Sequence, residues 1–248
     1  MKTLNLLTLT VVTGTLLTLS FTAQAGILGS PHDFHARPWN VDPADPATVC
    51  SVCHTPHHAS ATAGPLWNHD QTSAGGFTMY ANGASPGATL KLATELTPAA
   101  ASLACLSCHD GTVAVNAYGS AGNPSRLASS ETVTNGANLT QNLTHSHPIS
   151  MTYGPAQVGN GPGQDKWLFN PNTTPVLTPD NGTFVPGNDM TINGFLLGGN
   201  NRLECNSCHD VHNQEGTPFH IKTNPKLVKI NGTQATVGSL LCRSCHNK

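Results

Sequence analysis

Residues 50–59 read CSVCHTPHHA, and residues 205–212 read CNSCHDVH. Both begin with Cys-x-x-Cys-His, a motif that recurs at Cys105–His109 and Cys242–His246, so that four copies use all 8 cysteines of the 248-residue chain. Two such thiols followed directly by an imidazole are the attachment pattern of c-type haem, in which the cysteines form thioethers and the histidine binds iron. The motifs therefore predict four covalently bound haem c groups.

The predicted haem-attaching and proximal residues follow directly from the motifs. The thioether residues are Cys50, Cys53, Cys105, Cys108, Cys205, Cys208, Cys242 and Cys245, and the proximal iron ligands are His54, His109, His209 and His246. Zinc sites and disulfides are the alternative uses of paired cysteines. Neither alternative requires a histidine directly after the second cysteine, so the fourfold repeat of that histidine favours haem.

The N-terminus predicts export from the cytoplasm. Met1-Lys2 is a short basic region, residues 4–21 form an apolar run, and Ala23-Gln24-Ala25 is a small-x-small cleavage site. We interpret residues 1–25 as a cleaved signal peptide, because the run is interrupted by threonines and lacks the basic flank of a membrane anchor. Residues 26–248 are then a single tetrahaem domain with no membrane span, exported through the periplasm to the cell surface or beyond.

The composition predicts a fold with little regular structure. Charged residues are 10% and aromatic residues 5% of the chain, which contains 24 glycines and 18 prolines. We expect mostly irregular coil with a few short α-helices and a minor β-hairpin, wrapped around a core of haem. The local signals are helix starts at Asp45-Pro46, Thr97-Pro98 and Asn201 with Glu204, and a hairpin turn at Asn231-Gly232.

The charge balance bears on the partners of the protein. The chain has 11 Lys and Arg against 13 Asp and Glu, and the propionates of four haems would make the loaded protein more anionic. Nucleic acid is therefore not an expected partner, because its binding depends on a basic surface.

The sixth iron ligand decides between electron transfer and catalysis. Of 13 histidines, nine lie outside the motifs, whereas only Met79, Met151 and Met190 remain as methionines after residue 25. We therefore predict bis-His coordination, which leaves no open position for a substrate and is typical of electron transfer rather than of an enzyme.

Two motifs extend to Cys-x-x-Cys-His-x-x-His, which adds His57 and His212. A histidine three residues beyond the proximal ligand cannot reach the far face of the same haem, so each is predicted to bind the iron of another haem. His147 and His32 are the other predicted distal ligands, with His69 in reserve. The remaining histidines are interpreted as structural or surface residues: His35, His58, His145 and His220.

The chain resembles the secreted tetrahaem c-type cytochromes of metal-reducing bacteria that polymerise into extracellular filaments. The resemblance rests on HDF at 32–34, CSVCHTPHHA at 50–59, PLWNH at 65–69, CLSCHDGTVAV at 105–115, HP at 147–148, CNSCHDVH at 205–212 and LCRSCHNK at 241–248. It implies stacked bis-His haems in a head-to-tail homopolymer, in which His57 reaches a haem of the neighbouring subunit. The adjacent residue, His58, is a second candidate for the ligand that reaches the neighbouring subunit.

The expected function is electron transfer along an extracellular conductive filament, with redox partner cytochromes or outside electron acceptors as partners. A monomeric periplasmic tetrahaem carrier is the alternative. A multihaem reductase is a third possibility and requires at least one haem with an open coordination position.

Overall fold

The structure is a computed structural model. It describes residues 27–40, 48–72, 74–80, 97–120, 123–128, 130–161, 164–176, 191–212 and 241–247. The predicted signal peptide, the helix start at Asp45-Pro46 and the hairpin around Asn231-Gly232 lie outside these ranges, as does His220. All four Cys-x-x-Cys-His motifs lie within them.

Short elements separated by turns make up the described chain. The helices are α1 (Thr48–Ser51), α2 (Ala100–His109), α3 (Pro124–Ala128) and α4 (Cys205–Cys208), and residues 241–245 are also helical. Strands β1 (Met151–Thr152) and β2 (Arg202–Leu203) pair antiparallel, with Met151 opposite Leu203. A π-helical turn covers Ile192–Leu196, and 3-10 turns cover Ala74–Gly76, Leu143–His145 and Pro155–Gln157. No helix in the described ranges is long and apolar enough to cross a membrane.

Helix α2 begins two residues later than the sequence indicated. Ala99, not Thr97, is the N-cap, and its extended backbone has no side-chain cap. The amide of Ala99 donates instead to the Ser150 hydroxyl, at 3.0 Å. A tertiary contact therefore sets this helix start, which a local Thr-Pro signal could not predict.

Helix α4 begins with a capping box one turn beyond the predicted one. Glu204 is the N-cap and Ser207 its reciprocal partner, with the Glu204 amide donating to the Ser207 hydroxyl at 2.9 Å. The prediction of Asn201 with Glu204 was wrong because strand β2 lies between them. Asn201 instead has a positive φ of 57° in the preceding turn, a conformation that asparagine tolerates better than most residues.

Three small clusters of apolar side chains form beside the motifs. The first contains the π-helical turn and β1, and Cys245 packs against it; the second lies against Cys53; the third includes Leu106 of α2. The composition had led us to expect a core made of haem, and these clusters were not predicted. Their buried members are Met151, Tyr153, Val176, Ile192, Leu196, Leu197 and Leu203; Phe34, Trp39, Val52, Val115 and Tyr118; and Phe77, Leu106 and Leu143.

The cysteine-free segment from 112 to 200 runs alongside two motifs where it is described. The Leu139 amide donates to the carbonyl of His109 at 2.6 Å, and the Phe169 amide donates to that of Cys245 at 2.9 Å. The hydroxyl of Tyr153 also donates to the Phe169 carbonyl, at 2.7 Å. This segment thus provides backbone partners for the loop ends of the second and fourth motifs.

Candidate haem-binding site

One helical turn shapes the Cys-x-x-Cys-His motifs. The histidine amide donates to the carbonyl of the first cysteine in three of them, at 2.8 Å for His54, 3.0 Å for His209 and 2.9 Å for His246. The motif Cys105–His109 lies wholly within α2. Residues three and four apart share one face of a helix, so both thiols and the imidazole of each motif lie on one side of the chain.

Consecutive motifs are neighbours through their thiols. The thiols of Cys105 and Cys205 are neighbours, and their interaction raises the pKa of Cys105 and lowers that of Cys205. This contact accompanies the packing of α2 against α4. None of the eight cysteines, all of which lie in the described ranges, forms a disulfide.

The remaining thiol neighbours follow the order of the motifs along the chain. Burial is the main cause that raises the pKa of Cys108 to about 12, and the nearby thiol of Cys53 adds to the shift. Burial is the main cause that raises the pKa of Cys245 to about 12, and the nearby thiols of Cys208 and Cys242 add to the shift. Burial also raises the pKa of Cys53 to about 11. The first motif is therefore next to the second and the third next to the fourth.

Three of the four motif histidines each face one of the predicted distal histidines. The ring centroids of His109 and His32 are 5.9 Å apart with 61° between the planes. The ring centroids of His54 and His212 are 6.2 Å apart, and the ring planes are nearly parallel, at 19°. The rings of His246 and His147 are 6.2 Å apart at 68°.

These separations match the spacing of two imidazoles on one metal atom. A metal–nitrogen bond of about 2.0–2.1 Å on each side places the two ring centroids about 6.3 Å apart. A haem iron takes four ligands from its porphyrin and needs only two from the protein. Within the described ranges, no group of three or more His, Cys, Asp or Glu side chains is arranged to hold a metal ion. The spacing of the paired histidines is compatible with a haem, whose iron needs no third side chain.

Hydrogen bonds at Nδ1 orient three of the six paired rings. Nδ1 of His54 bonds the carbonyl of Pro65 at 3.2 Å, and Nδ1 of His109 bonds that of Ala137 at 2.9 Å. Nδ1 of His147 bonds the carbonyl of Pro148 at 2.9 Å. A carbonyl only accepts, so Nδ1 carries the proton and the neutral ring has its lone pair on Nε2. This is the arrangement that metal-ligating histidines use.

Unlike the paired histidines, His69, the reserve ligand, is buried and lies close to backbone carbonyls through both of its ring nitrogens. It is 2% exposed, and its Nδ1 lies 2.7 Å from the Asp70 carbonyl. Its Nε2 lies 2.9 Å from the carbonyl of Ala114 and 3.1 Å from that of Val115. The Nε2 of His69 also lies 3.5 Å from the Cys108 sulfur, so His69 joins two chain segments and contacts the second motif.

His57 lies in an exposed, well-defined loop. The hydroxyl of Thr55 donates to the His57 carbonyl at 2.8 Å, and Pro56 restricts the backbone between them. His58 follows with a positive φ of 59°, which reverses the chain. His57 is thus presented on the surface, and the three histidine pairs above do not include it.

A buried carboxylate joins the second and third motifs and was missed in the sequence. Glu204 is 6% exposed and accepts hydrogen bonds from the hydroxyls of Ser102 in α2 and Ser150. The Arg202 guanidinium donates to its other oxygen at 3.1 Å. Ser102 in turn accepts from the Cys205 amide at 3.2 Å. The sequence shows a glutamate directly before Cys205, but it could not indicate the hydrogen-bond partners of that glutamate because Ser102 and Ser150 are distant in sequence.

In comparisons with known proteins, no family model and no curated sequence matches this chain.

Proposed function

We propose that this chain is an electron-transfer protein that binds four c-type haems through two histidines each. The observation that carries the proposal is the set of three histidine pairs at 5.9–6.2 Å, each joining a motif histidine to a predicted distal one. A histidine cluster of purely structural origin would not require one member of every pair to follow a Cys-x-x-Cys sequence. The class of protein that fits these features is a tetrahaem cytochrome c.

We assign the distal ligands from the histidine pairs. His212 would bind the iron of the first motif, His32 that of the second and His147 that of the fourth. The remaining predicted ligand, His57, is then assigned to an iron held by His209 at the third motif. This assignment uses the four distal residues that the sequence predicted and does not need His69.

The chain's own residues would hold, orient and insulate the cofactors. A haem with two axial imidazoles supplies one-electron chemistry without an open coordination position. Thioethers from the paired cysteines would fix each haem to one helical turn, and the Nδ1 hydrogen bonds would fix the imidazole planes. Neighbouring motifs would keep the four sites close to one another, since their thiols are already neighbours.

We further propose that the subunit polymerises head to tail, with His57 serving the third-motif haem of the next copy. The exposure of His57 and the fixed turn around it support this, together with the resemblance of the CHTPH segment to filament-forming cytochromes. A head-to-tail contact that does not close produces a filament rather than a ring. Such a filament would carry electrons from the cell surface to external acceptors.

Electron microscopy of the secreted protein tests the polymer, and two single variants test the ligand. His57→Ala should leave a haem-loaded subunit that does not assemble and has one high-spin haem. His58→Ala is the matched control, because this neighbour is also exposed, and it should assemble as the wild type does. Filaments of normal length from His57→Ala would contradict the assignment, and loss of assembly only in His58→Ala would transfer the role to His58.

The two alternatives give different results. A monomeric carrier would appear as small uniform particles at every protein concentration, with low-spin haems throughout. A reductase would show a high-spin haem in the wild-type protein, because a substrate needs an open iron position. Absorption spectra of the oxidised and reduced wild-type protein separate this last case from the other two.

A further inference from the structure

The buried carboxylate of Glu204 lies where the third motif begins. Glu204 directly precedes Cys205 in the chain, and its side chain is 6% exposed. The fully buried hydroxyl of Ser102 connects the two residues, because it donates to the Glu204 carboxylate and accepts from the Cys205 amide at 3.2 Å. An ionic group is therefore held beside one of the two cysteines that would attach the third haem.

The negative charge of Glu204 acts on the Cys205 sulfur. The contact with Cys105 lowers the pKa of the Cys205 thiol, whereas burial and the charge of Glu204 act in the opposite direction. A carboxylate that opposes negative charge on this sulfur also opposes an electron added to a haem bonded to it, because both effects are Coulombic. The effect is stronger in a buried place, where water screens the charge less.

The balancing cation lies on the more exposed side of the carboxylate. The Arg202 guanidinium donates to Oε1 of Glu204 at 3.1 Å, and its side chain is 25% exposed. The buried hydroxyls of Ser102 and Ser150 donate to the other oxygen, Oε2. The ion pair thus has its anion on the side of the motifs and its cation nearer to solvent, where screening is stronger. At the third motif the carboxylate is therefore the stronger of the two charges.

We propose that Glu204 lowers the reduction potential of the haem attached at Cys205 and Cys208, and that Arg202 partly opposes this effect. The inference rests on the proposed function, because it needs a haem at the third motif. Reduction adds one electron to the haem, and a buried anion beside its attachment point makes that step less favourable. Burial and polar contacts around a haem are among the means by which a protein sets its potential. Glu204 would then tune this haem without ligating its iron.

Redox titration of the haem-loaded, full-length protein tests the proposal with two variants of opposite charge change. Glu204→Gln removes the negative charge but keeps a side-chain oxygen that can accept from both serine hydroxyls. One of the four one-electron steps should therefore move to a more positive potential. Arg202→Gln removes the cation and leaves the carboxylate, so the same step should move to a more negative potential. Loss of packing alone would not give shifts of opposite sign.

Two controls separate charge from packing. Ser102→Ala breaks the same hydrogen-bond network but leaves the carboxylate in place, so it should not move that step to a more positive potential. Glu131→Gln removes an exposed carboxylate that also pairs with an arginine. Solvent screening should then leave all four steps nearly unchanged. The absorption of each variant shows that four haems are present.

Shifts of opposite sign in the same step would support the inference. Unchanged potentials, shifts of one sign in both charge variants, or a positive shift in Ser102→Ala as large as in Glu204→Gln would overturn it and leave the proposed function intact. If Glu204→Gln does not bind four haems, the Arg202→Gln titration decides, and a shift that is absent or positive overturns the inference. A wild-type protein without covalent haem would contradict the proposed function itself.

Discussion

The imidazole rings of His54 and His212 lie nearly parallel, with their centroids 6.2 Å apart and 19° between their planes. Both residues belong to an extended Cys-x-x-Cys-His-x-x-His sequence, one as the motif histidine and the other as the additional histidine. The Nδ1 of His54 is anchored to the Pro65 carbonyl. The first and third motifs are therefore joined by a histidine pair whose spacing suits a shared iron.

Replacement of His212 should open one iron position. In His212→Ala we expect three low-spin haems and one high-spin haem at the first motif, because the iron loses its second imidazole. Visible absorption and electron paramagnetic resonance spectra of the purified protein measure this. His145→Ala, which changes an exposed histidine outside the three pairs, should leave the spectra unchanged. A fully low-spin His212→Ala protein would show that another group holds that position.

Replacement of His32 should affect the second motif in the same way. His32 faces His109, whereas the neighbouring His35 bonds the carboxylate of Asp33 through Nδ1. Asp33 also accepts from the Gly29 amide at 2.6 Å, which fixes the turn that presents His32. We expect one high-spin haem in His32→Ala and none in His35→Ala. The reverse pattern would exchange the roles of these two histidines.

More of the candidate site than of the fold could be predicted from the sequence. The three ring pairs agree with two predictions: that His212 binds the iron of another motif, and that His32 and His147 are distal ligands. These assignments remain predictions. The Ser102–Glu204–Ser150 network could not be predicted, because it joins hydroxyls and a carboxylate from three separate segments. The start of α2 and the apolar clusters depend on similar long-range contacts. Local signals such as Thr97-Pro98 carry no information about such contacts.

Removal of the buried carboxylate should destabilise the protein. Glu204→Ala leaves the buried hydroxyls of Ser102 and Ser150 without their carboxylate acceptor and removes one partner of the Arg202 guanidinium. We expect the free energy of unfolding to fall by about 2 kcal/mol or more, since two buried hydroxyls lose a charged acceptor. Denaturant unfolding monitored by haem absorbance measures this change.

The control for the Glu204→Ala variant is a substitution in a second, exposed ion pair. Arg37 and Glu131 lie 3.4 Å apart with side chains 42% and 41% exposed, so Arg37→Met should cost less than about 1 kcal/mol. Equal effects of the two variants would mean that the Glu204 network is not a structural link between the second and third motifs.

The thiols of haem-free protein should differ in their reaction with an alkylating reagent. The thiolate is the reactive form, and a pKa raised to about 12 leaves little of it for Cys108 and Cys245 at pH 8. Their thiolate fraction should rise about tenfold per pH unit, so alkylation should accelerate about 100-fold between pH 8 and pH 10. Exposed Cys50 and Cys242 should be the faster sites at pH 8.

Mass spectrometry of the alkylated peptides at several pH values measures these rates. A rate for Cys108 and Cys245 that levels off near pH 9 would show that their pKa values are not raised. In haem-loaded protein none of the eight cysteines should react, because each would be a thioether.

The mass of the intact, denatured secreted protein tests the central claim most directly. Covalent haem survives denaturation, whereas zinc is lost and a disulfide only removes hydrogens. A protein with four thioether-bound haems has the mass of residues 26–248 plus four haem groups. A mass equal to the polypeptide alone, or lower only by the hydrogens that disulfides remove, would contradict it.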